Sequence, residues 1–274
     1  MTQSPSTSPT SWDLIAPAYT DELGASFEEF ARDALSLAAP PAGSRIVDVA
    51  CGPGSLAVLA ARDGLVVDAL DFSPAMIAQL DQRVAVEKLA ITTRVGDGQA
   101  LPYADATFDA GFAMFALMFF PDRAKGLSEL RRVLAPGGRA VVATWTRLAE
   151  TPAMDAMYAA LRETLRTLMG AGAPQPGAGE MPLTTADSCR AEMSSVFSQV
   201  DVHRVPHDQV FPSADELWYS MVRTSVPLLT LRRNLGEDRW RAVDEAARSA
   251  TANVLGPGEA RITWTAWLSV GTAA

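Results

Sequence analysis

From residue 45 onward, short apolar runs alternate with stretches in which apolar residues recur every three or four positions. That rhythm is the one of strands joined by helices in a parallel sheet. The predicted strands are 46–50, 65–70, 91–95, 108–114 and 139–145. Between the first two, the turn Cys51-Gly52-Pro53-Gly54 opens an Ala/Leu-rich helix to about Arg62. Ser73-Pro74 places a capping residue ahead of a proline at the first helical position, which predicts a helix to about Leu89. Leu127, Leu130, Val133 and Leu134 share one face of a further helix, which Pro136-Gly137-Gly138 is expected to stop.

Beyond Trp145 the rhythm changes. Met157, Leu161, Leu165 and Leu168 mark a helix, and the Gly/Ala/Pro-rich segment 170–179 reads as flexible, without core-forming residues. Helices at about 185–195, 213–222, 227–234 and 237–254 and strands at 200–205 and 261–270 complete the pattern. It amounts to seven strands with two inserted helical segments and no internal repeat.

Composition narrows the class. With 48% hydrophobic and 20% charged residues the chain can bury a large core. No apolar run reaches the about 18 residues of a membrane helix, since the longest, 110–121, is fenced by Asp109 and Asp122. The first eleven residues, MTQSPSTSPTS, lack the basic start and apolar middle of a secretory signal and read as a disordered polar tail. Cys51 and Cys189 are too few for a disulfide framework or a cysteine zinc site, which suits a cytoplasmic protein. A net charge of −9, from 32 acidic and 23 basic residues, argues against a nucleic-acid partner. The sequence specifies no oligomeric state.

Gly52-x-Gly54-x-x-Ala57, with Asp71 following Gly52 by 19 residues, satisfies the loose dinucleotide fingerprint. Any adenosyl cofactor needs the same parts, namely glycines for close backbone approach and a carboxylate for the ribose hydroxyls. Charge separates the candidates. A pyrophosphate wants helix N–H groups and cations, whereas the ammonium and sulfonium of S-adenosylmethionine want carboxylates. Asp48 within the first strand, Asp71 ending the second and Asp97 following the third would line one sheet edge, which favours the cationic cofactor. The plainer alternatives are that Asp48 bonds only to backbone amides and that Asp97 is a turn residue.

VDVACGPGSLA (47–57), DFSPAMI (71–77), GDGQALPYADATFD (96–109) and ELRRVLAPGGRAVVATW (129–145) together resemble the successive motifs of class I S-adenosylmethionine-dependent methyltransferases. Within them the chain is most similar to the small-molecule branch that includes the ubiquinone/menaquinone C-methylase-like enzymes. The resemblance implies an α/β, doubly wound, Rossmann-like, seven-stranded, mostly parallel sheet with an antiparallel last strand. One domain would span 12–274, with the cofactor-binding core at about 44–146 and helical lid insertions at about 147–183 and 214–258. It also implies roles: Asp48 near the methionine amino group, Ala50, Gly52 and Gly54 in the cofactor loop, and Asp71 on the ribose. Phe72 and Met76 would flank the adenine, Asp97 would accept from its amino group beside Gly98 and Gln99, and Ala113 would border the cofactor. Trp12 to Tyr19 resembles the segment that folds over the cofactor, making Tyr19 a contact. Cys51 departs from the family's usual small or acidic residue and reads as a small buried side chain.

The acceptor, a small and partly apolar molecule, would meet Trp12, Phe115, Met118, Phe119, Trp145, Trp218 and Tyr219; helical spacing makes core packing an equally good account of Phe115, Met118 and Phe119. His203 and His207 are the only side chains that titrate near neutrality unaided, hence the candidate bases, although positioning alone can suffice for methyl transfer. No spacing typical of a metal site occurs. Two other functions stay open: an S-adenosylmethionine-binding protein that does not transfer methyl, and a nicotinamide-dependent oxidoreductase, for which no Tyr/Lys acid pair is evident.

Overall fold

The computed structural model describes residues 8–178 and 181–274. The chain divides into two compact units, the first of Met1–Thr146, Pro182–Val205 and Thr265–Ala274, the second of Arg147–Met181 and Pro206–Trp264.

In the first unit, α1 (Pro9–Asp13) and α2 (Ala16–Ala38) precede an alternation of β1 (Arg45–Val49), α3 (Ser55–Arg62), β2 (Val66–Asp71), α4 (Pro74–Glu87) and β3 (Ile91–Val95). β4 (Phe108–Met114), α5 (Arg123–Val133) and β5 (Leu134–Trp145) follow. α7 (Ala186–Ser194) also belongs to this unit, with residues 198–205 of β6 (Ser198–Phe211) and 265–272 of β7 (Ala260–Thr272). The seven strands lie in the order β3-β2-β1-β4-β5-β7-β6. β1 to β5 pair in parallel, and β7 runs antiparallel to β5 with Arg139 opposite Thr272 and Trp145 opposite Ala266. Strand order reverses between β1 and β4, and an open α/β sheet forms its ligand crevice at the carboxyl ends beside such a reversal.

Local chemistry accounts for the elements. β1 is covered on both faces, so its Ile46-Val47-Asp48-Val49 run is buried throughout instead of alternating. Ser73 caps α4 by accepting from the Met76 N–H at 3.1 Å, with Pro74 behind it. Leu127, Leu130 and Val133 of α5 pack with Val47, Phe108 and Val142 of the sheet. No helix follows β3; instead α5 clamps the loop there. Glu129 accepts from the Leu101 N–H at 2.8 Å, and Arg132 donates to the carbonyls of Leu101 and Tyr103.

The second unit contains α6 (Pro152–Met169), α8 (Ala214–Thr224), α9 (Val226–Leu235) and α10 (Glu237–Leu255) around Met157, Leu161, Trp218, Leu228 and Val243. Both helical insertions expected from the sequence thus fall together in one unit.

Four expectations change. Residues 9–11 of the supposed tail are helical, in α1; residues 1–7 lie outside the described part. α2 adds a helix to the expected elements, with Phe30, Ala31, Ala34, Leu35 and Ala38 forming a buried stripe at helical spacing. Pro136-Gly137-Gly138 does not stop α5, because Leu134 already pairs with Phe108 and the glycines form an irregularity inside β5. The Gly-rich segment, whose Gly179 lies outside the described residues, does contribute to a core. Ala173 is buried there and Arg162 holds the Pro176 carbonyl at 3.1 Å. Among the described residues no helix is long and apolar enough to cross a membrane.

Candidate functional site

The carboxyl ends of β1, β2, β3 and β4 border a single cleft. Ala50 and Gly52 line it after β1, Leu70 and Asp71 at the end of β2, Gly96 and Asp97 after β3, and Met114 and Phe115 at the end of β4. It encloses about 120 Å³ measured at the centre of a water-sized sphere, well beyond the about 10–15 Å³ that one water needs. The chain bends sharply to make it: Ala50 and Phe115 have φ values of 54° and 55°, left-handed conformations that residues with a side chain seldom adopt, alongside Gly52 at 54°. Gly98 is required by close approach, since a Cβ there would stand 2.6 Å from the Phe120 ring and 2.8 Å from Val49.

Three carboxylates surround the cleft. Asp71 Oδ2 accepts from the Gly52 N–H and Oδ1 from the Ser73 N–H, both at 2.8 Å, so one side chain ties the glycine turn to the start of α4. Burial raises its pKa to about 6 despite those bonds. Asp48, 1% exposed, stands behind the turn. Its Oδ2 accepts from the Ala57 N–H at 3.2 Å while Oδ1 has no hydrogen-bond partner among the described residues, and burial pushes its pKa up to about 8, with Asp71 adding to the shift. A buried, half-satisfied carboxyl is costly and is the kind of group a cationic ligand would complete. Asp97 is exposed and is held by Gln99, whose N–H reaches Oδ1 at 2.8 Å; the Gln99 side chain also accepts from the Asp122 N–H. Among the described residues no lysine, arginine or histidine lines the cleft. Burial holds the Cys51 thiol well above its ordinary pKa, so it is an inert small side chain.

An aromatic wall closes the remaining side. Trp12 of α1 meets Phe119 at 5.5 Å and Tyr19 of α2 at 6.3 Å. Tyr19 stacks on Phe27, which contacts Phe115, and Phe115 stacks on Trp145 at 3.9 Å. Burial, then the nearby Asp71, drives the Tyr19 phenol pKa up, so it remains a hydrogen-bond donor.

The structure brings Trp12, Tyr19, Ala50, Gly52, Asp71, Phe72, Met76, Asp97, Gly98, Phe115 and Phe119 to the cleft surface. Other expected residues stand behind it. Gly54 begins α3, Gln99 orients Asp97, and Trp145 backs Phe115. Ala113 packs with Leu117, Leu127 and Leu130, because alternation along β4 turns it away from the face that Met114 presents. Met118 is buried and absent from the lining.

Trp218 and Tyr219 are placed otherwise than expected. Trp218 is fully buried in the second unit, stacked on Trp240 and donating to Asp244 at 2.7 Å, while Tyr219 accepts from Arg248 in the same unit. Neither histidine is among the described residues that line the cleft. His203 is exposed on β6, the edge strand separated from β4 by β5 and β7, and His207 lies in the second unit. Leu70, Gly96, Met114, Ala116, Phe120 and Pro121 line the cleft without having been singled out. The aromatic pair ahead of Pro121, a few residues past the end of β4, was the available signal for the last two.

Residues 47–142 match a family described as a methyltransferase domain. The chain is 41% identical over 113 residues to a demethylmenaquinone methyltransferase of Thermus thermophilus, covering 40% of this chain and 51% of that protein. It is 40% identical over 105 residues to a ubiquinone/menaquinone biosynthesis C-methyltransferase of Geobacter sulfurreducens, covering 36% and 41%. An uncharacterized protein of Mycobacterium tuberculosis is 36% identical over 104 residues, 38% of each chain. The match thus spans between 38% and 51% of these relatives' length. Among solved structures, the (4+2)-cyclase SpnF superposes with a TM-score of 0.64 at 18% identity, over 99% of this chain and 98% of that one. A Haemonchus contortus phosphoethanolamine N-methyltransferase 2 in complex with S-adenosyl-L-methionine gives 0.55 at 18%, over 90% and 53%.

Proposed function

We propose that this chain, whose residues 47–142 match a methyltransferase domain, is a class I methyltransferase that transfers a methyl group from S-adenosylmethionine to a small, partly apolar acceptor. The observation that carries this is the charge of the cleft: two carboxylates on its surface, a third, half-satisfied, behind its glycine turn, and no cation among the described residues that line it. A nicotinamide dinucleotide would bring phosphates to that acidic edge.

In this reading Asp71 accepts from the ribose hydroxyls, Phe72 and Met76 flank the adenine, and Asp97, held by Gln99, accepts from the adenine amino group. Gly52 lets the backbone approach the amino-acid end, towards which Asp48, protonated near neutrality without ligand, would turn a negative charge once its proton leaves beside the cofactor's ammonium. When bound, the cofactor supplies a methyl group activated by its sulfonium. The chain's task is to hold the acceptor in line and keep water out, which Trp12, Phe115, Phe119 and Phe120 do as an apolar wall. Tyr19, held protonated, donates a hydrogen bond and is unsuited to be the base. The acceptor therefore brings a free electron pair or loses its proton to water. Free, buried Cys51 and Cys189 suit a reducing cytoplasm, and the excess of acid over base suits a small-molecule partner in preference to nucleic acid.

Calorimetry tests the reading. S-adenosylmethionine and S-adenosylhomocysteine should bind at least about a hundredfold more tightly than NAD or NADP, the scale of one or two hydrogen bonds to charged groups. Tighter binding of a nicotinamide cofactor would sink it. Because a cyclase and an N-methyltransferase share this fold, cofactor binding without methyl release to any acceptor would select the non-transferring alternative.

The placement of the histidines gives a second expectation. His203→Ala and His207→Ala should each lower kcat less than about tenfold, whereas loss of a general base costs about 10²–10⁴-fold. A drop of that larger size, with loss of one limb of the pH–rate profile, would identify a base outside the cleft lining.

A further inference from the structure

Asp13, the last residue of α1, reaches across to α4. Its Oδ1 accepts from the Ser73 hydroxyl at 2.6 Å and from the Ala75 N–H at 3.1 Å. The free N–H groups of a helix start are a favourable place for a carboxylate. Ser73 is buried and also donates its own N–H to Asp71, so Asp13, Ser73 and Asp71 form one hydrogen-bonded chain ending at the cleft. A second tether holds α2 further along. Arg83 of α4 donates to Glu28 at 3.3 Å and to the carbonyl of Pro53 in the glycine turn at 3.2 Å. The helices break between these tethers, at Leu14 and Ile15. Trp12 and Tyr19, on either side of that break, are the cleft-lining residues that α1 and α2 supply.

We propose that Asp13 is a positioning residue: by docking on the N-terminus of α4 it seats Trp12 and Tyr19 over the cleft, and residues 9–20 admit ligand when that contact releases. Glu28 and Arg83 serve as the pivot that remains attached. The proposal rests on the cleft being the cofactor site, and it adds that one carboxylate outside the cleft lining sets how well the site is closed. Closure excludes water from the aromatic wall, and the same contact braces the carboxylate assigned to the ribose.

Asp13→Ala removes the acceptor, while Asp13→Asn keeps an oxygen able to accept from both Ser73 and Ala75. Hydrogen exchange of residues 9–20 in the ligand-free protein should speed up about tenfold or more in the alanine variant and return most of the way in the asparagine variant, on the scale of a charge-assisted hydrogen bond. The dissociation constant of S-adenosylhomocysteine should rise by a similar factor with alanine and recover with asparagine. Wild-type exchange rates at 9–20 in the alanine variant overturn the proposal. So does faster exchange confined to residues 74–87, which would make Asp13 only a cap for α4. If the wild-type protein does not bind S-adenosylhomocysteine, the cofactor reading fails, and the exchange measurement still decides whether Asp13 holds the cover.

Discussion

Asp71→Ala is expected to weaken S-adenosylhomocysteine binding by about 1.5–3 kcal/mol for each charged hydrogen bond lost, so a two-hydroxyl contact with the ribose puts the loss at a hundredfold or more. The effect is large because the carboxylate has two duties. It faces the cleft, and it accepts the Gly52 and Ser73 N–H groups at 2.8 Å, which fixes the glycine turn against the start of α4. Asparagine is a poor substitute here, since its amide nitrogen would confront one of those two donors. Isothermal calorimetry with alanine and asparagine variants checks this. An affinity within about twofold of wild type, less than half a kcal/mol, would remove Asp71 from the cofactor site.

Asp48→Asn should act in the opposite sense on stability. With a pKa raised to about 8, the folded protein keeps a proton that the unfolded chain releases near pH 4. The contribution of Asp48 to stability is therefore fully present below about pH 4 and is lost as pH rises through about 8. Asparagine carries no such charge, so above pH 8 the ligand-free variant should be more stable by about 1–3 kcal/mol, the extra cost of leaving a charged instead of a neutral group buried and half-satisfied. Asp71, raised to about 6, contributes a slope of the same sign that ends at lower pH and should persist in the variant. Urea unfolding at pH 5, 7 and 9 separates the two. A variant that is less stable at pH 9, or that keeps the wild-type slope between pH 7 and 9, contradicts the account. Binding of S-adenosylhomocysteine should weaken in the same variant, because natural sites retain costly groups where function requires them.

The alternation of strands and helices in a parallel sheet and the acidic edge were both legible along the chain, and for a common reason. A strand buried on two faces must be apolar throughout, so Asp48 inside Ile46-Val47-Asp48-Val49 stands out without coordinates. Glycine turns and proline-capped helix starts are likewise local signals, and residues 51–54 and 73–74 needed nothing from the rest of the molecule. Gly52, Asp71 and Asp97, which the structure brings to the cleft, each sit within a few residues of such a signal, whereas Phe72 and Met76 were reached through the resemblance of the motif that contains them.

What local pattern could not supply is which distant elements share a surface. Trp218 and Phe115 are alike in sequence, large aromatics in apolar surroundings, yet one is spent on Asp244 and Trp240 in the second unit while the other lines the cleft. Ala113 and Met114 are neighbours that the alternation of β4 sends to opposite faces, and their assignment turns on a register that only pairing fixes. His203 and His207 were candidates for their chemistry, and the place of His203, on a strand with β5 and β7 between it and β4, comes only from the strand order. The contact from Asp13 to Ser73 spans 60 residues and leaves no periodic trace in the chain. The sequence by itself thus determined the sheet and the charge of its edge, since both are written in short-range periodicity and in the cost of burying carboxylates. Tertiary structure alone decided the aromatic wall, the edge-strand position of His203 and the docking of α1, because those depend on contacts between segments far apart in the chain.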